Sequence, residues 1–156
     1  MDQKVTRAKQ TYELLCKSFD NKGWHYTRHE EDQVITCSMQ SNDLPIEHIV
    51  RVCTEQQVLV LYSKLPLSVP ADKAIDVAVA VCVINDKLAD GSFDFDIERG
   101  SIVFRQTTSF MGSELGEDLF PRMVAIASTT VDVFNDKLFM LVKGMLSIEQ
   151  FLRDEL

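Results

Sequence analysis

The 156-residue sequence has no closely paired cysteines, no long apolar run and no excess of positive charge. Each absence removes a class of function. Cys16, Cys37, Cys53 and Cys82 stand far apart, with no C-x-x-C among them. That spacing argues against a zinc knuckle or a thioredoxin-type redox motif. Each cysteine has apolar neighbours, the setting in which a free thiol behaves as a small buried hydrophobe, and such usage suits a reducing compartment. The longest apolar stretch, around Val77 to Ile84, is bounded by Asp76 and Asn85 and is much too short to cross a bilayer. The polar opening Met-Asp-Gln-Lys does not resemble a signal peptide, so a cytoplasmic protein without a membrane role is expected. The closing residues Arg153-Asp154-Glu155-Leu156 resemble an endoplasmic-reticulum retention tail, but they read better as helix-ending charges.

Sixteen Lys and Arg stand against 24 Asp and Glu, a formal net charge of −8 at pH 7. Nucleic-acid binding depends on clustered cations that release counterions from phosphates, so no nucleic acid is expected as a partner. The acidity is concentrated. Asp86, Asp90, Asp94, Asp96, Glu98, Glu114, Glu117 and Asp118 share their stretch of chain with only Lys87, Arg99 and Arg105. Such a face keeps a protein soluble and could also attract a basic segment.

Catalytic signatures are missing as well. No serine sits in a G-x-S-x-G elbow and no cysteine adjoins a histidine. Gly112-Ser113-Glu114-Leu115-Gly116 has two glycines but no following lysine, so it reads as a connector and not a phosphate loop. His25 and His29 would share one side of a strand, too far apart to chelate without a ligand between them, and Thr27 is a poor one. Zinc sites need three or four convergent ligands, and His48 could join only through the fold. Asp94, Asp96 and Glu98 suggest a cation site, but they alternate with Phe93, Phe95 and Ile97 as the wet face of a hairpin strand. EF-hand spacing is absent. Neither a cofactor nor a metal is expected, and no catalytic residue.

What is present is a clear order of elements. Ala8, Tyr12, Leu15 and Phe19 recur at helical spacing and predict an amphipathic helix over Val5 to Phe19, stopped by Asn21-Lys22-Gly23. Trp24 to His29 and Gln33 to Gln40 read as strands, joined by a turn at Glu30-Glu31-Asp32. Ile46 to Thr54 fits two patterns. Ile46, Ile49, Val50 and Cys53 make a helical stripe that Asp43 and Pro45 could start, whereas Ile46, His48, Val50 and Val52 share one face of a strand. The run Gln57 to Ser63 must be a strand and needs a neighbour, and this favours the strand for Ile46 to Thr54.

A helix from about Ala71 to Leu88 follows Pro66 and Pro70. Its residues Ile75, Val77, Ala78, Val79, Ala80, Val81, Cys82, Val83 and Ile84 leave almost no polar face, so it must be covered on most sides. It is a core helix, a helix at a subunit interface, or both. Phe93 to Glu98 and Ile102 to Phe104 form a hairpin around Arg99-Gly100. A long helix spans roughly Glu117 to Lys143, with Pro121 in or near its first turn. Gly144 ends it, and Ser147 caps a short last helix. The fold class is α+β, an antiparallel sheet with long packed helices in the order α-β-β-β-β-α-β-β-α and a short further helix, forming one domain over residues 1–156.

Leu65-Pro66 and Val69-Pro70 before the central helix, Ile84-Asn85 near its end, Gly91-Ser92-Phe93-Asp94 and Gly100-Ser101-Ile102-Val103-Phe104 in the hairpin, and the long helix ending near Gly144 resemble the YbjN family. The fold of that family is similar to the type III secretion chaperones. The resemblance implies a regulator without established chemistry. It also implies the habits of those chaperones, which are small, acidic, usually dimeric and bind extended segments of a partner. It brings no catalytic or ligand residues.

Two functions follow as expectations. One is a homodimer that engages a partner protein or peptide through a sheet edge or an apolar groove, with Ile75, Val79, Cys82 and Asn85 as the candidate dimer or partner surface. Asn85 is also expected to bond the helix end or the hairpin through its amide. The other is a small-molecule sensor or an enzyme of unrecognised type, with a pocket between the sheet and the long helix.

Overall fold

The computed structural model describes residues 2–42 and 44–156. Asp43, a candidate helix start, lies outside the described residues. The elements are helix α1 (Gln3–Asn21), strands β1 (Tyr26–His29), β2 (Val34–Gln40), β3 (Pro45–Cys53) and β4 (Val58–Lys64), helix α2 (Ala74–Lys87), strands β5 (Ser92–Asp96) and β6 (Ser101–Ser109), and helices α3 (Leu119–Val142) and α4 (Ile148–Glu155). A 3-10 turn, Ala71–Lys73, leads into α2. The α+β order expected from the sequence is the order observed.

The six strands form one antiparallel sheet in the order β1-β2-β3-β4-β6-β5. Consecutive strands pair as far as β4. The chain then leaves through Pro66 and Pro70, builds α2, and returns so that β6 lies beside β4 and β5 forms the edge. Within β3, Ile46, His48, Val50 and Val52 are buried while Glu47, Ile49 and Arg51 are exposed. Period two prevails over the competing helical stripe because β2 and β4 satisfy the backbone of β3 on both sides.

One alternation of each longer strand enters the main core. Ile35 and Cys37, Val50 and Val52, Leu59 and Leu61, Ile102 and Phe104 meet Leu15 and Phe19 of α1, Val77 and Ile84 of α2, Val124 and Leu138 of α3, and Phe151 of α4. The helices therefore share one face of the sheet. α1 begins where the Asp2 side chain accepts a hydrogen bond from the Lys4 amide at 3.0 Å, and it ends where the Trp24 amide reaches back to the Phe19 carbonyl at 3.1 Å. α4 is opened by a capping box between Ser147 and Gln150.

Two expectations need correction. Ile97 does not continue the alternation of β5. That strand stops at Asp96, whose carbonyl and carboxylate accept from the Gly100 and Arg99 amides at 2.8 and 3.0 Å, so the chain turns and leaves Ile97 exposed. Cys82 is not a buried thiol either. It lies three residues beyond Val79, on the exposed side of α2. Cys16 and Cys37 are buried as expected, and Cys53 is half-buried.

Gly100 ties the linker before α2 to the hairpin. Its carbonyl accepts from the Val69 amide at 2.8 Å, its φ is +65°, and a Cβ there would lie 2.3 Å from the Val69 carbonyl oxygen. Gly112 has a similar φ, +68°, but open space around it. Substitution by alanine should therefore cost about 1 kcal/mol at Gly112, from backbone strain alone, and distinctly more at Gly100. Urea unfolding of Gly100→Ala and Gly112→Ala checks this, and equal losses would show that the Val69 contact contributes nothing.

Candidate functional site

α2 divides its apolar residues between two sides. Ala74, Val77, Ala80, Val81 and Ile84 are buried, whereas Ile75 is 73% exposed, Val79 is 39% exposed and Cys82 is also exposed. Spacings of four and three place these last three on successive turns of one stripe. The helix reads as apolar all round because half of its surface is finished by the fold and half is left open. Asn85 does not lie in that stripe. Its amide nitrogen donates to the Phe93 carbonyl at 2.9 Å, and its side-chain oxygen accepts from the Phe93 amide at 2.8 Å. The structure thus gives Asn85 its expected bonding role, fastening α2 to β5.

The candidate metal residues are not brought together. His25 and His29 are exposed, with His29 Nε2 3.5 Å from Thr36 Oγ1, while His48 is buried on the helix-covered side of the sheet. Asp94 forms a bidentate pair with Arg105, at 2.5 and 3.2 Å. Among the described residues no three His, Cys, Asp or Glu converge on one point. No helix among them is long and apolar enough to cross a membrane.

Two buried polar clusters escape a reading of the sequence. At the end of α4, Glu155 is only 8% exposed and its carboxylate bridges Lys87 at 3.3 Å and Lys137. The two ammonium groups hold its pKa below the usual carboxylate range, led by the hydrogen bond from Lys137. What reads as a run of tail charges is a clasp joining α4 to α2 and α3. The second cluster is at His48, which is fully buried. Its Nδ1 is 2.6 Å from Ser63 Oγ and its Nε2 is 3.0 Å from Ser128 Oγ, linking β3, β4 and α3. A neutral imidazole suits this position, since one nitrogen donates and the other accepts. Only alternation hints at the site, by placing His48 among the inward residues of β3.

Four helices on one face of an antiparallel sheet, with an apolar helix inserted before the last hairpin, define an α+β fold of the secretion-chaperone kind. The family model YbjN, described as "Putative bacterial sensory transduction regulator", matches residues 11–140. The chain belongs to the YbjN family. Among solved structures, the ExsC–ExsE complex is similar with a TM-score of 0.61 and 16% identity, covering 88% of this chain and 97% of that one. YbjN from E. coli is similar with a TM-score of 0.55 and 11% identity, over 84% of this chain and 87% of that one. The HopA1–SchA chaperone–effector complex gives 0.55 and 14%, over 82% and 95%. No curated protein matches the sequence.

Burial pushes the pKa of His48 down to about 4, against about 6.5 in an unfolded chain. Between those values the unfolded state holds a proton that the folded state does not. Stability should therefore fall as pH drops from about 6.5 and level off below about 4, a loss of about 3 kcal/mol. His48→Gln removes this titration. The difference in unfolding free energy between the wild type and His48→Gln should be flat above neutral pH and shrink on acidification. A difference independent of pH would sink the assignment.

Proposed function

We propose that this protein is a cytoplasmic, homodimeric regulatory module that holds a segment of a partner protein and catalyses no reaction. The observation that carries the reading is the uncovered stripe Ile75, Val79 and Cys82 on α2. Large aliphatic side chains contribute about 1.5 to 3 kcal/mol each when taken fully out of water, and a two-fold axis repeats every contact. A second copy that pairs its α2 against this one would bury the stripe on both chains. Asn85 serves this surface from behind by fixing the rotation of α2.

Family membership supports a regulatory role, and the similar folds of ExsC and SchA occur in complexes with another protein. The acidic stretch from Asp86 to Asp118 favours partner segments that carry positive charge.

Sedimentation tests the dimer. The wild type should sediment as a dimer at micromolar concentration, and Val79→Lys and Ile75→Lys should sediment as monomers that still unfold cooperatively near the wild-type temperature. A monomeric wild type would overturn the dimer. Variants that unfold outright would show that the stripe belongs to the core.

A further inference from the structure

A cleft of about 500 Å³ opens between the start of α3, the segment that follows α1 and the end of β2. Its walls are apolar: Trp24, Met39, Pro121 and Val124. Trp24 is held there by the end of α1, through the hydrogen bond its backbone N–H donates to the Phe19 carbonyl and an edge-on contact between the two rings at 5.1 Å. Ser128 also lines the cleft, and its hydroxyl is already engaged with buried His48. Two cations, Lys22 and Arg122, and one carboxylate, Asp118, also line the cleft. Among the described residues neither cation has an ion-pair partner within 4.0 Å, in a chain with eight excess negative charges.

We propose that this cleft is a binding site for a small amphipathic organic anion, a single carboxylate on a compact apolar body. The size falls in the range of small-ligand pockets, about 300 to 1,000 Å³, which are mostly apolar with a few placed polar groups. Lys22 and Arg122 hold the carboxylate at the mouth, and the apolar body lies along Trp24, Met39 and Val124. A doubly charged ligand fits less well, because Asp118 leaves the lining only one net positive charge. This site is separate from the α2 surface, so its failure would leave the dimer untouched and the reverse also holds.

Trp24 is the single tryptophan, so its fluorescence reports on the cleft directly. Octanoate at neutral pH, kept below its micellar concentration, should change the Trp24 emission saturably. Acetate lacks the apolar body and 1-octanol lacks the charge, and neither should do so over the same range. Arg122→Gln and Lys22→Gln alter exposed residues and should each weaken octanoate binding about tenfold, the loss expected for one charge-assisted hydrogen bond. Circular dichroism of each variant confirms that it is folded. Octanol acting as well as octanoate, full affinity in folded Arg122→Gln, or no saturable response would each overturn the site. An emission that follows protein concentration alone would assign the cleft to a second copy of the chain and would equally overturn it.

Discussion

The pair of hydrogen bonds between the Asn85 amide and the Phe93 backbone sets what α2 can present. α2 is apolar on nearly every side, so hydrophobic burial alone leaves its rotation about its own axis poorly specified. A directional contact resolves this. With Asn85 turned toward β5, Val77, Ala80, Val81 and Ile84 must face the core, and Ile75, Val79 and Cys82 must face away. Removing the amide would leave the Phe93 amide and carbonyl without partners in a half-buried place, and the fold pays for that at about 1 to 3 kcal/mol.

The same contact shapes the sheet edge. β5 is an edge strand, and edge strands offer unpaired amides and carbonyls to any extended chain. The Asn85 side chain occupies those of Phe93, the second residue of β5, and acidic Asp94 and Asp96 follow. The opposite edge, β1, is four residues long and is held to α1 by a network in which Arg28 donates to Asp20 and to the Tyr26 hydroxyl, at 2.9 and 2.8 Å. Both edges are therefore guarded, one by a side-chain amide and the other by brevity and charge.

The order of elements was legible because each has a local signature: the stripe of α1, the Pro66 and Pro70 exit, the alternation of Phe93 and Phe95, and the caps at Gly144 and Ser147. β3 needed one non-local step, the demand of β4 for a neighbour. Strand order was not legible, since nothing local says that β4 pairs with β6 and leaves β5 outside. Periodicity also cannot tell a residue covered by the fold from one left bare, and for this reason Cys82 reads as buried. Glu155 and His48 were hidden for a related reason. Their partners Lys87, Lys137, Ser63 and Ser128 lie between 15 and 80 residues away in the chain.

α2 is fixed at both ends by contacts of different physical kinds. Before its start, the Val69 amide donates to the Gly100 carbonyl, and the Val69 carbonyl oxygen lies where a Cβ on residue 100 would sit. At its end, Asn85 holds β5, and Lys87 meets the buried carboxylate of Glu155, which also takes Lys137 of α3. α4 lies beyond residues 11–140, the part matched by the YbjN model, yet its last helical residue completes the seating of α2. A surface seated in this way needs little ordering when something docks on it, and ordering is a main cost of association. The exposed placement of Ile75, Val79 and Cys82 thus rests on contacts made elsewhere on α2. In the proposed dimer, changes at Gly100 or Glu155 would act through the placement of α2, whereas changes at Val79 would act on the contact itself.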